Sequence, residues 1–233
     1  MLADSPQDEA GSPARIRPLE PRDLPEVVRL HRAAFRPRSS YRFLERAYYP
    51  AFLDPGSGGF GFAAAEAERF LGMIVATTDD RLFHRRLALR HPFELALRAA
   101  GRAARGLVGG RRDRVVRAPV ADLREDGVPR PAPRARIHYL AVHREARRQG
   151  LGRSLVETAL AALGDSGVQA CGTRIAAGNL ASRALFESLG FERAVRPDAA
   201  RAAIAHGGGG PERFEEYRWR AQAQRAGVRA ADA

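Results

Sequence analysis

The chain has 233 residues, 45% apolar and 28% charged, a length and balance that suit one soluble domain and leave no run of the roughly 18 to 20 apolar residues a membrane span needs. All 39 basic residues are arginine against 27 acidic ones, for a net charge of +12; the lack of lysine beside abundant alanine and glycine marks base-composition bias rather than selection for phosphate neutralisation. One cysteine, Cys171, excludes an internal disulfide framework and a multi-cysteine zinc site, and the acidic start lacks the pattern of a secretory leader, so a cytoplasmic location is expected.

Residues 1–14 read as a disordered start and 221–233 as a flexible tail, which leaves 15–220 for the domain. A short strand at 15–17 precedes a helix over 21–35, signalled by early prolines, acidic Asp23 and Glu26, and an apolar side of Leu24, Val27, Val28, Leu30 and Ala34. A second helical pattern over 40–53 carries Phe43, Leu44, Ala47, Tyr48 and Ala51 and stops at Asp54, Pro55 and Gly56. Runs at 60–66 and 70–78 around Glu68 and Arg69 predict a hairpin.

From 81 to 134 the character changes to that of a basic helical insertion. Its first half, broken at His91 and Pro92, places Leu82, Leu89, Phe93, Ala96, Leu97 and Ala100 on one stripe; its second half is a proline-rich loop. Residues 81–117 hold eleven arginines against Glu94 and Asp113, a local charge of +9. Phe83 and Phe93 are the aromatics there, too few for a single-strand stacking platform, so no specific nucleic-acid partner is expected and internal packing of the stripe is the plainer account.

The second half of the chain alternates strand and helix. A strand at 136–142 leads through a glycine-punctuated polar run to a helix over 153–163, and a strand at 168–173 follows. Asn179 stands at the N-cap position of a helix over 181–189, with Gly190 as its stop, and 191–195 with 213–219 form a last strand pair around the loop holding Gly207 and Gly210. The run Arg147, Arg148, Gln149, Gly150, Leu151, Gly152, Arg153 lies between strand and helix. Glycines there let backbone N–H groups turn outward at a helix start, the arrangement that holds a pyrophosphate, although the pattern is neither the Walker loop nor the Rossmann fingerprint.

Residues 140–152 resemble motif A of the GNAT N-acetyltransferase superfamily, and 179–191 resemble its motif B; the likeness is loose over 15–78, close over 136–195, and omits the insertion. The resemblance implies one α/β (α+β) domain with a mixed, mostly antiparallel sheet of six or seven strands flanked by helices. It also implies acetyl-coenzyme A as donor, with no metal. Arg147, Arg148, Gln149, Gly150, Leu151, Gly152 and Arg153 would then hold the pyrophosphate, the backbone of Leu140 and Val142 would pair with the pantetheine arm and stabilise the oxyanion, and Asn179 and Phe186 would complete the cofactor site.

Two features depart from the family pattern. Phe186 replaces a tyrosine that protonates the leaving thiolate, and Arg136 and Arg174 stand where some relatives have a glutamate base. His138 and Tyr139 are the candidate bases, His84 and His91 more distant ones, and Cys171 reads as a core residue. The expected reaction is acetyl transfer to a primary amine of a small molecule such as an amino sugar. The alternatives are a protein N-terminus or lysine as acceptor, or a catalytically lapsed acyl-coenzyme A binding module that docks on an anionic surface. Oligomeric state is left open, with a homodimer admitted.

Overall fold

The first strand, β1 (Arg15–Pro18), is locked to the start of the first helix by a two-pronged pair in which Arg17 donates to both carboxylate oxygens of Asp23 at 2.7 Å. The structure, a computed structural model, describes residues 14–35, 41–93, 96, 122–123, 129–130, 133–194 and 214–221. The expected flexible ends, apart from Ala14 and Ala221, and the Gly207 to Gly210 loop lie outside them, as do Leu97 and Ala100 of the insertion.

A 3-10 turn, Pro21–Asp23, opens α1 (Leu24–Ala34). The single helix expected over 40–53 is three pieces: α2 (Tyr41–Phe43), a π-helical turn at Leu44–Tyr48 and a 3-10 turn at Pro50–Phe52. Tyr49 N–H donates to Leu44 C=O at 3.0 Å, and Pro50, lacking an N–H, cannot extend the ladder. The wider turn sends Phe43, Leu44, Ala47, Tyr48, Tyr49 and Phe52 inward together.

The hairpin is β2 (Gly59–Glu66) and β3 (Arg69–Thr77), followed by α3 (Asp80–Arg90). Within the insertion, β4 (Asp122–Leu123) pairs with β5 (Pro129–Arg130) in a two-residue ladder where only loop was expected. Then come β6 (Ala135–Val142), α4 (Leu151–Asp165), β7 (Ala170–Ala176), α5 (Leu180–Ser188), β8 (Glu192–Arg193) and β9 (Phe214–Arg220). Seven strands form one sheet in the order β1-β2-β3-β6-β7-β9-β8, antiparallel except where β6 meets β7. That parallel pair is joined through α4, as a crossover requires. The fold class implied by the resemblance is the one observed.

Each face of the sheet has its own core. On one side Leu155, Val156, Ala159 and Leu163 of α4 and Phe186 of α5 cover Ile74, Ala76, Ile137, Cys171 and Tyr217. On the other, α1, the 41–52 segment and α3 cover Ala63, Met73, Val75 and Ala141. Here the expected insertion stripe is corrected. Phe83 and Leu87 are the buried residues of α3, whereas Leu82, Leu89 and Phe93 are 36%, 72% and 86% exposed. The phase is set by Gly59, where any Cβ would stand 2.9 Å from the Phe83 ring, and by Phe52, whose ring centroid lies 4.5 Å from that of Phe83. Cys171 is buried in the first core, where desolvation pushes its thiol up to about 12.

Candidate active site

The parallel pairing of β6 with β7 is short. Ala135, Arg136 and Ile137 face Cys171, Gly172 and Thr173; beyond them β6 stays with β3 as far as Val142 while β7 stays with β9 as far as Ala176. The two strands therefore diverge and leave a gap in the sheet. His143 N–H donates to Leu71 C=O at 2.8 Å, so by the alternation of a strand the N–H and C=O of Leu140 and Val142 point the other way, into the gap. The Val142 carbonyl accepts there from Arg147 Nε at 3.0 Å.

Beyond the gap the chain makes a 3-10 turn, Arg144–Ala146, and enters α4 through two left-handed residues, Arg148 (φ 66°) and Gly150 (φ 81°). The first helical bond runs from Ser154 N–H to Gly150 C=O, which leaves the N–H groups of Leu151, Gly152 and Arg153 as the unpaired donors of a 15-residue helix start. Leu151 is anchored in the core, and a Cβ on Gly152 would lie 3.4 Å from Leu185 of α5, so the helix start is held closely against its neighbour. Gln149 donates its amide to Glu145 C=O at 3.3 Å, and Arg153 is turned to Ser188 Oγ at 2.8 Å and Glu157 at 3.3 Å. The backbone of this loop, more than its side chains, thus fits an anionic pyrophosphate. Asn179 caps α5 by accepting from Ser182 N–H at 3.1 Å, as its position predicts. Phe186 is 3% exposed and packs edge-on against Phe191, a member of the core.

On the opposite face a bulge decides which side chains meet. Val75 pairs with Tyr139 and the next residue, Ala76, with Ile137, so His138 is the extra residue on β6. Two consecutive side chains, His138 and Tyr139, consequently face the same layer of helices. His138 is buried among Phe52, Phe83 and Tyr48; its Nδ1 lies 3.1 Å from Tyr48 Oη and its Nε2 3.2 Å from both Thr77 Oγ1 and Asp80 Oδ1. Burial lowers the pKa of His138 and Asp80 works against that, so the ring is a neutral base at neutral pH. Burial also opposes ionisation of Asp80, yet His138 and His84 outweigh it and hold the carboxyl well below the usual range.

His84, expected to be distant, lies with its ring centroid 5.7 Å from that of His138, because α3 starts directly beside β6. His91 sits at the opposite end of that helix and donates its N–H to Leu87 C=O. Tyr139 lies with its ring 4.5 Å from His31, 5.0 Å from Phe35 and 6.0 Å from Tyr48. His31 is 2% exposed, 2.6 Å from Tyr49 Oη through Nδ1, and burial lowers its pKa to about 4. Arg136 pairs with Glu216 at 2.9 Å and stands 3.8 Å from Asp80. The sequence pattern did not bring out Asp80, Thr77 or His31. A bulge leaves no periodic signal, and an aspartate beside a helix cap reads only as another capping residue.

Among the described residues no group of three or more His, Cys, Asp or Glu could hold a metal ion, and no helix is long and apolar enough to cross a membrane. The model of the acetyltransferase (GNAT) family matches residues 24–191. A search of curated proteins returned no match. Among solved structures the chain is similar to the ribosomal-protein-S18-alanine N-acetyltransferase from Escherichia coli (19% identity, 89% of this chain and 93% of that one, TM-score 0.51). It is also similar to a GCN5-related N-acetyltransferase from Kribbella flavida (18%, 89% and 98%, TM-score 0.53) and to a chain of the NatC complex bound to Gag peptide and CoA (16%, 89% and 98%, TM-score 0.52). The strand gap, the loop before α4 and the family match across most of the chain lead to one assignment: the protein belongs to the GNAT family of acetyltransferases, whose acetyl donor is acetyl-coenzyme A.

Proposed function

We propose that this chain transfers an acetyl group from acetyl-coenzyme A to the primary amine of a small molecule, amino sugars being one acceptor class. The observation that carries the reading is the divergence of β6 from β7 at Ile137, next to the His138 bulge. A donor channel and two candidate bases would then share one strand. The pantetheine arm would pair with the backbone of Leu140 and Val142, and a backbone N–H there would meet the oxyanion that develops as the amine attacks. His138, neutral at neutral pH, accepts the ammonium proton, and Tyr139 is the second candidate for that task.

No side chain need protonate the departing sulfur at Phe186. A free thiol has a pKa of about 8.5, so a thiolate is a tolerable leaving group. The acceptor-side rings lie beneath α1, the 41–52 segment and α3, which supports a small amine over a folded protein surface.

Release of coenzyme A thiol should be followed with glucosamine, spermidine, and peptides bearing a free N-terminus or a lysine. Turnover of a small amine supports the proposal. Turnover of peptides alone would move the acceptor to protein, and tight acetyl-coenzyme A binding without turnover across a broad panel would favour the lapsed binding module.

A further inference from the structure

Asp80 opens α3, the helix that begins the insertion, and nothing in the two family motifs accounts for it. Its Oδ1 lies 3.2 Å from His138 Nε2 and 3.2 Å from His84 Nδ1, buried but aligned with neither. His84 Nδ1 is also 2.8 Å from the Asp80 backbone oxygen. Side-chain exposure rises outward through the three groups, 7% for His138, 29% for Asp80 and 42% for His84.

These contacts favour one arrangement of protons. An acceptor-only carboxylate oxygen 3.2 Å away disfavours a lone pair on His138 Nε2 and so favours a hydrogen there, with the Thr77 hydroxyl oxygen, also 3.2 Å away, to accept it; Nδ1 is then left to accept from the Tyr48 hydroxyl. Two oxygens facing His84 Nδ1 likewise require a hydrogen there. Among the described residues the other charged or titratable groups around the cluster are Arg136, 3.8 Å from Asp80 Oδ2, with its partner Glu216, the neighbouring Asp79 with Arg134 at 3.9 Å, and Tyr48 from the π-helical turn.

We propose that Asp80 is a positioning residue for acetyl transfer, holding His138 in the tautomer whose basic Nδ1 faces Tyr48 and the acceptor side, and that His84 anchors the Asp80 carboxylate. The proposal rests on the transferase reading above. It follows the logic by which a buried carboxylate orients a catalytic histidine and stabilises the imidazolium formed when it takes a proton. In the balanced reaction the acceptor enters as R–NH3+. One proton passes through the Tyr48 hydroxyl to His138 Nδ1, and the imidazolium sits against Asp80. The freed nitrogen pair forms the N–C bond, the C–S bond breaks with its electrons on sulfur, the second nitrogen proton goes to the thiolate, and the imidazolium returns its proton to water.

Nitrogen NMR of the histidine-labelled protein tests this without any acceptor. Wild type should show His138 as the Nε2–H form. Asp80→Asn should mix its tautomers and lower its titration, and His84→Gln should shift the same signals less. With whichever of glucosamine or spermidine is turned over, Asp80→Asn should lower kcat about a hundredfold with the KM for acetyl-coenzyme A unchanged, and Asp80→Glu should recover part of the loss. His84→Gln should lower kcat about threefold and move the acid limb of the pH profile.

Unchanged His138 signals in a folded Asp80→Asn protein, or wild-type kcat with an unchanged pH profile, would overturn the proposal. Should Asp80→Asn fail to fold, His84→Gln decides on the same two readouts, because its ring is the most exposed of the three. If wild type turns over no amine at all, the transferase reading falls, and the ring signals alone decide whether Asp80 sets the state of His138.

Discussion

At position 186 the family's tyrosine is a phenylalanine whose ring is 3% exposed and lies 4.9 Å from that of Phe191. Its contribution is therefore packing. Phe186→Ala should cost about 3 to 5 kcal/mol in denaturant unfolding, the usual toll of emptying an aromatic core site. Phe186→Tyr should leave kcat within about threefold of wild type, since the proposed reaction needs no side-chain acid at this position. A tyrosine variant whose kcat rises a hundredfold would show that thiolate departure limits the rate. Gly150 carries the opposite kind of constraint. A Cβ there meets nothing within 4 Å, so a larger residue fits the space, but φ 81° costs a side-chain-bearing residue about 1 to 2 kcal/mol. Gly150→Trp should fold and weaken acetyl-coenzyme A binding at least tenfold, about 1.4 kcal/mol by calorimetry, because the indole covers the helix-start donors. Unchanged affinity would remove the loop from the donor site.

At the scale of elements α3 is the part that carries Asp80 and His84 to His138. Asp79 caps it, accepting from the N–H groups of Arg81 and Leu82 at 2.9 and 3.0 Å, and Phe83 pins it to Phe52 over Gly59. Phe83→Ala should destabilise by about 3 to 5 kcal/mol and reduce turnover, as the helix that carries Asp80 and His84 loses its anchor. Leu89→Ala, at a 72% exposed site, should change stability by no more than about 0.5 kcal/mol. The reverse result would restore the stripe expected from the sequence. That stripe was misread because Leu82, Leu89 and Phe93 satisfy a helical spacing as well as Phe83 and Leu87 do, and the choice rests on a glycine 24 residues earlier. Local signals were legible where the chain itself supplies the physics: Asn179 as a cap, Gly150 at the turn, the near-continuous apolar runs of β2 and β3. The turn and helix start after β6 could be read from residues 140–152 for that reason. The cluster around His138 could not, because its assembly depends on a bulge at His138 and on contacts such as Tyr48 with His138, 90 positions apart.

Across the whole molecule, buried ionisable groups make stability depend on pH in two separate windows. His31 lies on the buried face of α1, and burial lowers its pKa from 6.5 to about 4. The unfolded chain therefore takes up this proton first as the solution is acidified. The stabilisation is fully present above about pH 6.5 and is lost as pH falls to about 4, amounting to about 3 kcal/mol at 1.36 kcal/mol per pH unit. His138, also lowered by burial, adds to the same window with the same sign. The carboxylates act later. Burial opposes their ionisation, but Arg17 holds Asp23 below its ordinary value, and the two histidines do the same for Asp80. Their stabilisation is present above about pH 4 and is lost only below it. Unfolding free energy measured in urea from pH 7.5 to 4.5 should consequently decline well before any carboxylate titrates. His31→Asn keeps an acceptor for the Tyr49 hydroxyl without a titrating ring. It should flatten most of that decline while leaving the steeper loss below pH 4 in place. A wild-type protein equally stable at pH 7 and 4.5, or an asparagine variant with the same slope, would show that the His31 ring is protonated in the folded state despite its burial.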